Sequence, residues 1–111
     1  MSVKEQQHGA VIVLKPQGPI IQEDLDPVKG RLLQAQKENL GRIVLDMSAV
    51  PFVDSSGLEL LVDVTNEMAR SGKSLKLCAA SKTIRQVLEL TGLSPLFEHF
   101  EDANSAVRSF L

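Results

Sequence analysis

Ile43-Val44-Leu45 is a short, uninterrupted apolar run, the mark of a strand buried on both faces. Such a strand sits inside a parallel sheet, and a parallel sheet needs long crossover connections, usually helical. The sequence on either side has that character. From about Gln22 to Asn39, Leu25, Val28, Leu32 and Ala35 share one helical face, and Gly41 follows as a stop signal. Glu23, Asp24 and Asp26 lie early in this stretch and Lys29, Arg31 and Lys37 later, an order the helix dipole favours. Beyond the apolar run a second helix, from about Ser56 to Ser71, carries the stripe Leu58, Leu61, Val64 and Met68 and ends at Ser71-Gly72.

The remaining elements continue the alternation. Val11-Ile12-Val13-Leu14 is β-branched and stopped by Pro16 and Gly18, so it reads as a strand, with an edge strand around Val3 before it. Leu75 to Ala79 is another short strand. Thr83 to Thr91 is helical through Ile84, Val87, Leu88 and Thr91, and Gly92 closes it. Phe97 to Phe100 reads as a last strand. Asp102 then caps a helix built on Ala103, Ala106, Val107 and Phe110. The order ββαβαβα(β)α predicts an α/β fold: one domain over residues 1–111, a four- to five-stranded mixed, largely parallel sheet, and about four helices. Its functional surface is expected at the carboxyl ends of the strands.

Composition excludes several functions. Twelve basic and fourteen acidic residues give a net charge of −2, which offers no electrostatic case for nucleic acid or an anionic membrane. The four aromatic residues are all Phe, too few for a base-stacking platform. No apolar run approaches the ~20 residues that span a bilayer, and Met1 to Ala10 lacks the apolar segment of a secretory signal. The single Cys78 has no disulfide partner and reads as a small buried hydrophobe. A soluble cytoplasmic protein is expected.

Asp54-Ser55-Ser56-Gly57 stands between the apolar run ending at Val53 and the second helix, where polar atoms meet a helix start. Ser56-Gly57-Leu58-Glu59 matches a capping box, with the Ser56 hydroxyl accepting from the Glu59 amide. One cap needs one hydroxyl, so Asp54, Ser55 and Gly57 remain to be explained. A hydrolase does not fit: the residue two before Ser56 is Asp54 where a nucleophile elbow needs Gly, and the histidines, His8 and His99, lie near the two ends of the chain. His8 is expected in solvent and His99 near the last strand. Neither has metal-ligand spacing. No catalytic residue, metal or cofactor is expected. A phosphate-binding loop lacks its Gly-x-x-x-x-Gly-Lys frame, and Asp54 would repel an anion. A serine that receives a phosphoryl group fits better. Ser56 would be exposed, Gly57 would leave room for a kinase, and the helix dipole would tolerate the new charge, so the effect falls on a docked partner.

The stretch Ile43-Val44-Leu45-Asp46-Met47-Ser48-Ala49-Val50-Pro51-Phe52-Val53-Asp54-Ser55-Ser56-Gly57-Leu58 resembles the signature of the STAS domain, named for sulphate transporters and anti-sigma factor antagonists. The likeness continues through Leu75 to Cys78, Val87-Leu88-Glu89-Leu90-Thr91-Gly92-Leu93, Phe97 and Asp102 to Phe110. It implies a domain that acts by binding. In stand-alone bacterial members the unphosphorylated form binds an anti-sigma factor, which is also a serine kinase of the histidine-kinase-like ATPase fold, and so frees a sigma factor. That kinase phosphorylates the second serine of the motif, and a metal-dependent serine phosphatase restores it. Carried over, the phosphoacceptor is Ser56, and Asp54, Ser55, Gly57 and Leu58 complete the partner-binding loop. One position departs: members often carry an acidic residue where this chain has Ile21, in a loop expected beside the motif. The resemblance also admits a constitutive role, as a STAS subunit of a lipid-transport ATPase or a stress-signalling complex. A nucleotide- or small-molecule-binding module is the third class. Leu60 and Val62, off the helical stripe, are candidates for an apolar part of the partner surface. Lys73 and Lys76 are expected in solvent.

Overall fold

A computed structural model describes residues 1–111. β1 (Ser2–His8) and β2 (Val11–Gln17) form an antiparallel hairpin in which Ser2 faces Gln17 and His8 faces Val11. The tight turn between them needs the left-handed backbone of Gly9, at φ 60°. β2 then pairs in parallel with β3 (Ile43–Asp46), β3 with β4 (Lys76–Cys78), and β4 with β5 (Glu98–Phe100), giving the order β1-β2-β3-β4-β5.

The crossovers are α1 (Leu25–Asn39, entered through a 3-10 turn at Gln22–Asp24), α2 (Ser55–Ala69) and α3 (Lys82–Leu90). Each steps one strand in the same direction, so a uniform right-handed crossover puts all three on one face of the sheet. That face holds the main core of nineteen buried residues, with Ile12, Leu14, Ile43, Leu45, Leu75 and Leu77 beneath the helices. The opposite face belongs to α4 (Ala103–Arg108), whose Ala106 packs on Val11, Val13, Val44 and Cys78. β3 is buried on both faces, as its unbroken apolar run requires.

Some element starts differ slightly from expectation. α1 begins at Leu25, after the 3-10 turn, and stops at Asn39 as expected, with Leu40 and Gly41 both left-handed, at φ 54° and 80°. α3 starts at Lys82 because Ser81 is its cap, its hydroxyl accepting from the Ile84 amide at 3.2 Å. Asp102 caps α4 as expected, accepting from the Ser105 amide at 2.7 Å. Hydrogen bonding from Ser105, its amide first, holds the Asp102 carboxyl below its usual pKa.

Three expectations about burial are corrected. α2 buries a wider arc than one stripe, because the sheet lies beneath it and α1 beside it. Leu60 is therefore in the core at 5% exposure and not on a partner surface, while Leu58 is half-buried. Thr65, also buried, donates to the Leu96 carbonyl at 2.9 Å and accepts from the Leu75 amide at 3.0 Å. His8 is half-buried where solvent exposure was expected.

Lys76 is the third correction: it is 8% exposed. Strand parity turns it toward α4, and its stem has to cross that layer before its charge reaches the edge. Its ammonium donates to Ser109 Oγ at 2.6 Å and lies 3.7 Å from Glu98 Oε2. It also stands over the rings of Phe110 and Phe100, at 4.1 and 5.5 Å from their centroids. These contacts add to the packing of Ala106 in tying α4 to the sheet. Cys78, on the same face, is buried as expected, and its thiol is pushed up to about 12 by burial, with Asp46 and Asp102 adding to the effect. It stays protonated and unreactive at neutral pH.

Replacing Lys76 by Ala is expected to cost about 1–3 kcal/mol, through lost packing and the cation–π and hydrogen-bond contacts. Chemical denaturation of Lys76→Ala beside Lys76→Met checks this, with the Met variant retaining part of the stability through its apolar stem.

Candidate functional site

The site is built where β3 runs out and the chain turns into α2. Extended backbone at Asp54, φ −85° and ψ −177°, aims its carboxylate across the first turn of the helix. Oδ1 accepts from the Gly57 amide at 2.8 Å, so Asp54 is the cap of α2. The expected capping box at Ser56 and Glu59 is thereby corrected. Ser56 already has a place inside the helix, and a residue that has entered the helix cannot cap it.

Asp54 Oδ2 accepts from the Gln22 amide at 3.1 Å, which ties the loop after β2 to the same carboxylate. Backbone bonds reinforce this seam. The Ile20 amide donates to the Phe52 carbonyl and the Asp54 amide to the Ile20 carbonyl, both at 3.2 Å, around a parallel bridge between Ile20 and Val53. The loop carrying Ile21 therefore lies beside the motif, as expected.

Gly57 serves this seam rather than an approaching kinase. It is buried, and a Cβ there would stand 2.2 Å from the Ile20 carbonyl oxygen and 2.6 Å from Val53 Cγ1. The helix can start this close to the neighbouring loop only without a side chain at this position. Space for a partner at Gly57 is thus not on the outer side, correcting that expectation.

With Asp54 as cap and Gly57 turned inward, the two serine hydroxyls are left over. Ser55 is exposed and Ser56 half-exposed, and neither hydroxyl forms a hydrogen bond within the chain. Ser56 also lines a groove between α1 and α2. Leu58, half-buried, packs one side against the main core. The fold thus brings Asp54, Ser55 and Ser56 to one loop, with Gly57 buried beneath it and Leu58 half-buried beside it.

Phe52, not singled out by any sequence pattern, is 50% exposed in the same loop. The signal was its place between buried Val50 and the cap residue, where a short segment must turn one apolar side chain outward. His99 stands on β5, its Nε2 within 2.9 Å of the Ser94 carbonyl and 3.1 Å of Ser94 Oγ, and makes no bond to the motif. No group of three or more His, Cys, Asp or Glu residues is placed to hold a metal ion. No helix is long and apolar enough to cross a membrane.

The STAS domain profile matches residues 2–106. The chain belongs to the STAS domain family. An anti-sigma F factor antagonist of Paenibacillus polymyxa is 20% identical over 108 residues, 96% of this chain and 92% of that protein. A crystal structure of a Thermotoga maritima protein matches with a TM-score of 0.87 at 20% identity, covering 96% of this STAS domain and 92% of that chain. The anti-sigma factor antagonist SpoIIAA matches in its unphosphorylated form with a TM-score of 0.77 at 18% identity, covering 98% and 96% of the two chains. Bacillus SpoIIAA in its phosphorylated form matches at 0.72 and 18%, covering 99% and 100%. At these identities the solved structures establish the STAS fold.

Gly57→Ala is expected to destabilise the domain by about 1–3 kcal/mol or more, since backbone and not a flexible side chain opposes the new methyl. Asp54→Ala should cost about 0.5–2 kcal/mol as a lost cap. Thermal or denaturant melts of both variants check the order, with Gly57→Ala at least as severe.

Proposed function

We propose that this STAS domain is an anti-sigma factor antagonist switched off by phosphorylation of Ser56. The observation that carries the reading is the free, half-exposed hydroxyl of Ser56 in the first turn of α2, beside a carboxylate already committed to capping. In this reading the unphosphorylated loop, with Ser55, Ser56 and the half-exposed Phe52, docks on an anti-sigma factor. That partner is a serine kinase of the histidine-kinase-like ATPase fold, and a metal-dependent serine phosphatase reverses the modification. The role is binding without catalysis by this chain. Its similarity to the Paenibacillus polymyxa antagonist supports the assignment, as does the existence of SpoIIAA in phosphorylated form.

The physical mechanism is local. A phosphoserine brings about −1.5 to −2 charges and bulky acceptor oxygens to a loop that already holds Asp54. The amino-terminal dipole of α2 accommodates the charge, and the first-turn amides offer it donors. The domain therefore keeps its fold, and the cost falls on the docked partner, through repulsion and the desolvation of a dianion.

Ser56→Ala is expected to bind the anti-sigma factor like the wild type and to resist phosphorylation, while Ser56→Asp weakens binding at least about tenfold, some 1.4 kcal/mol. Titration calorimetry against the purified anti-sigma factor measures this. Equal affinity of Ser56→Asp and wild type would sink the switch.

A further inference from the structure

Every charged residue of α2 is acidic, and all three, Glu59, Asp63 and Glu67, stand exposed at intervals of four. Like charges at this spacing weaken a helix, so the row has no local rationale. Glu67 has Arg70 at 3.8 Å, and Glu59 and Asp63 have no counter-ion. Facing them across a groove of about 900 Å³, α1 presents Lys29 and Lys37, also exposed and unpaired, on either side of Leu33. No ion pair crosses the groove. Leu33 is 42% exposed there, and the Gln36 amide nitrogen is buried at the groove with no acceptor. One wall is basic, the other acidic, and the surface between them is unfinished.

The two helices run side by side in the same direction. Gln22 bonds to Asp54 at one end, and Gln36 and Leu40 line one hollow with Glu67 and Met68 at the other. A two-fold axis laid along such a groove sets α1 of one copy on α2 of the next and leaves the height of each residue along the axis unchanged. Lys29 then comes opposite Glu59 and Asp63 of the other copy, and Lys37 opposite Glu67, twice over. A surface with this pattern is complementary to itself.

We infer that two copies of this chain associate groove to groove, α1 on α2 and α2 on α1. The contact has a small apolar centre at Leu33 and a charged margin, so it is weak, reversible and sensitive to salt. Ser56 lines the same groove, so the pair holds it away from a kinase active site. That consequence rests on the phosphoacceptor reading, and the association itself does not.

Sedimentation velocity over a concentration series, at low and at raised salt, tests it with three proteins. The wild type is expected to dimerise and to loosen with salt. K29E/K37E and E59K/D63K/E67K should each associate at least about tenfold more weakly, because each makes both walls alike in sign. Mixing the two should restore a one-to-one dimer, which also shows that both variants fold. A wild type that stays monomeric up to ~1 mM overturns the inference. So do variants that dimerise as the wild type does, or a mixture that fails to recover the pair.

Discussion

Both oxygens of one carboxylate hold this domain's working end together. Asp54 takes the Gly57 amide on Oδ1 and the Gln22 amide on Oδ2, and so joins the start of α2 to the loop that precedes α1. Charge-assisted bonds to backbone donors are among the stronger hydrogen bonds available to a protein. What is bound is backbone, which fixes the path of both loops and leaves side chains free. The two serines are presented outward because the acid beside them has taken the structural role.

The sheet supplies the frame for that arrangement. Crossovers of one hand place α1, α2 and α3 on a single face, and the parallel strands deliver their loops to one end. β3, buried on both sides, is the rigid element that carries the chain to the motif. Gly57 completes the fit, since the Ile20 carbonyl occupies the space a side chain would need. A loop so constrained changes little in shape when its charge changes. In the proposed switch, a modification there is read as electrostatics and not as refolding.

Much of this was legible in the sequence, and the misses have definite causes. The unbroken run Ile43-Val44-Leu45 reads as a strand covered on both faces, and helical periodicity around it gave the α/β class and the place of the motif. The cap was assigned to Ser56 because Ser-x-x-Glu spacing and Asp-x-x-Gly spacing are both plausible helix starts. Only the backbone at Asp54 decides between them. Leu60 was placed outside because a single stripe presumes one core face, whereas α2 is flanked by both the sheet and α1. Lys76 was placed in solvent because the position of α4 over β4 is a tertiary fact that no local pattern carries. Gly57 was read as room for a kinase because the backbone it makes way for, at Ile20, lies thirty-seven positions earlier in the chain.

The proposed switch requires Asp54 to be occupied as a cap and Ser56 to be left free for modification. Intact-mass spectrometry of the protein purified from its native cell, with the modified residue mapped, tests it most directly. A single phosphate is expected, carried on Ser56 and not on Ser55. An unmodified Ser56 under every growth condition, or a phosphate on Ser55 alone, would contradict it.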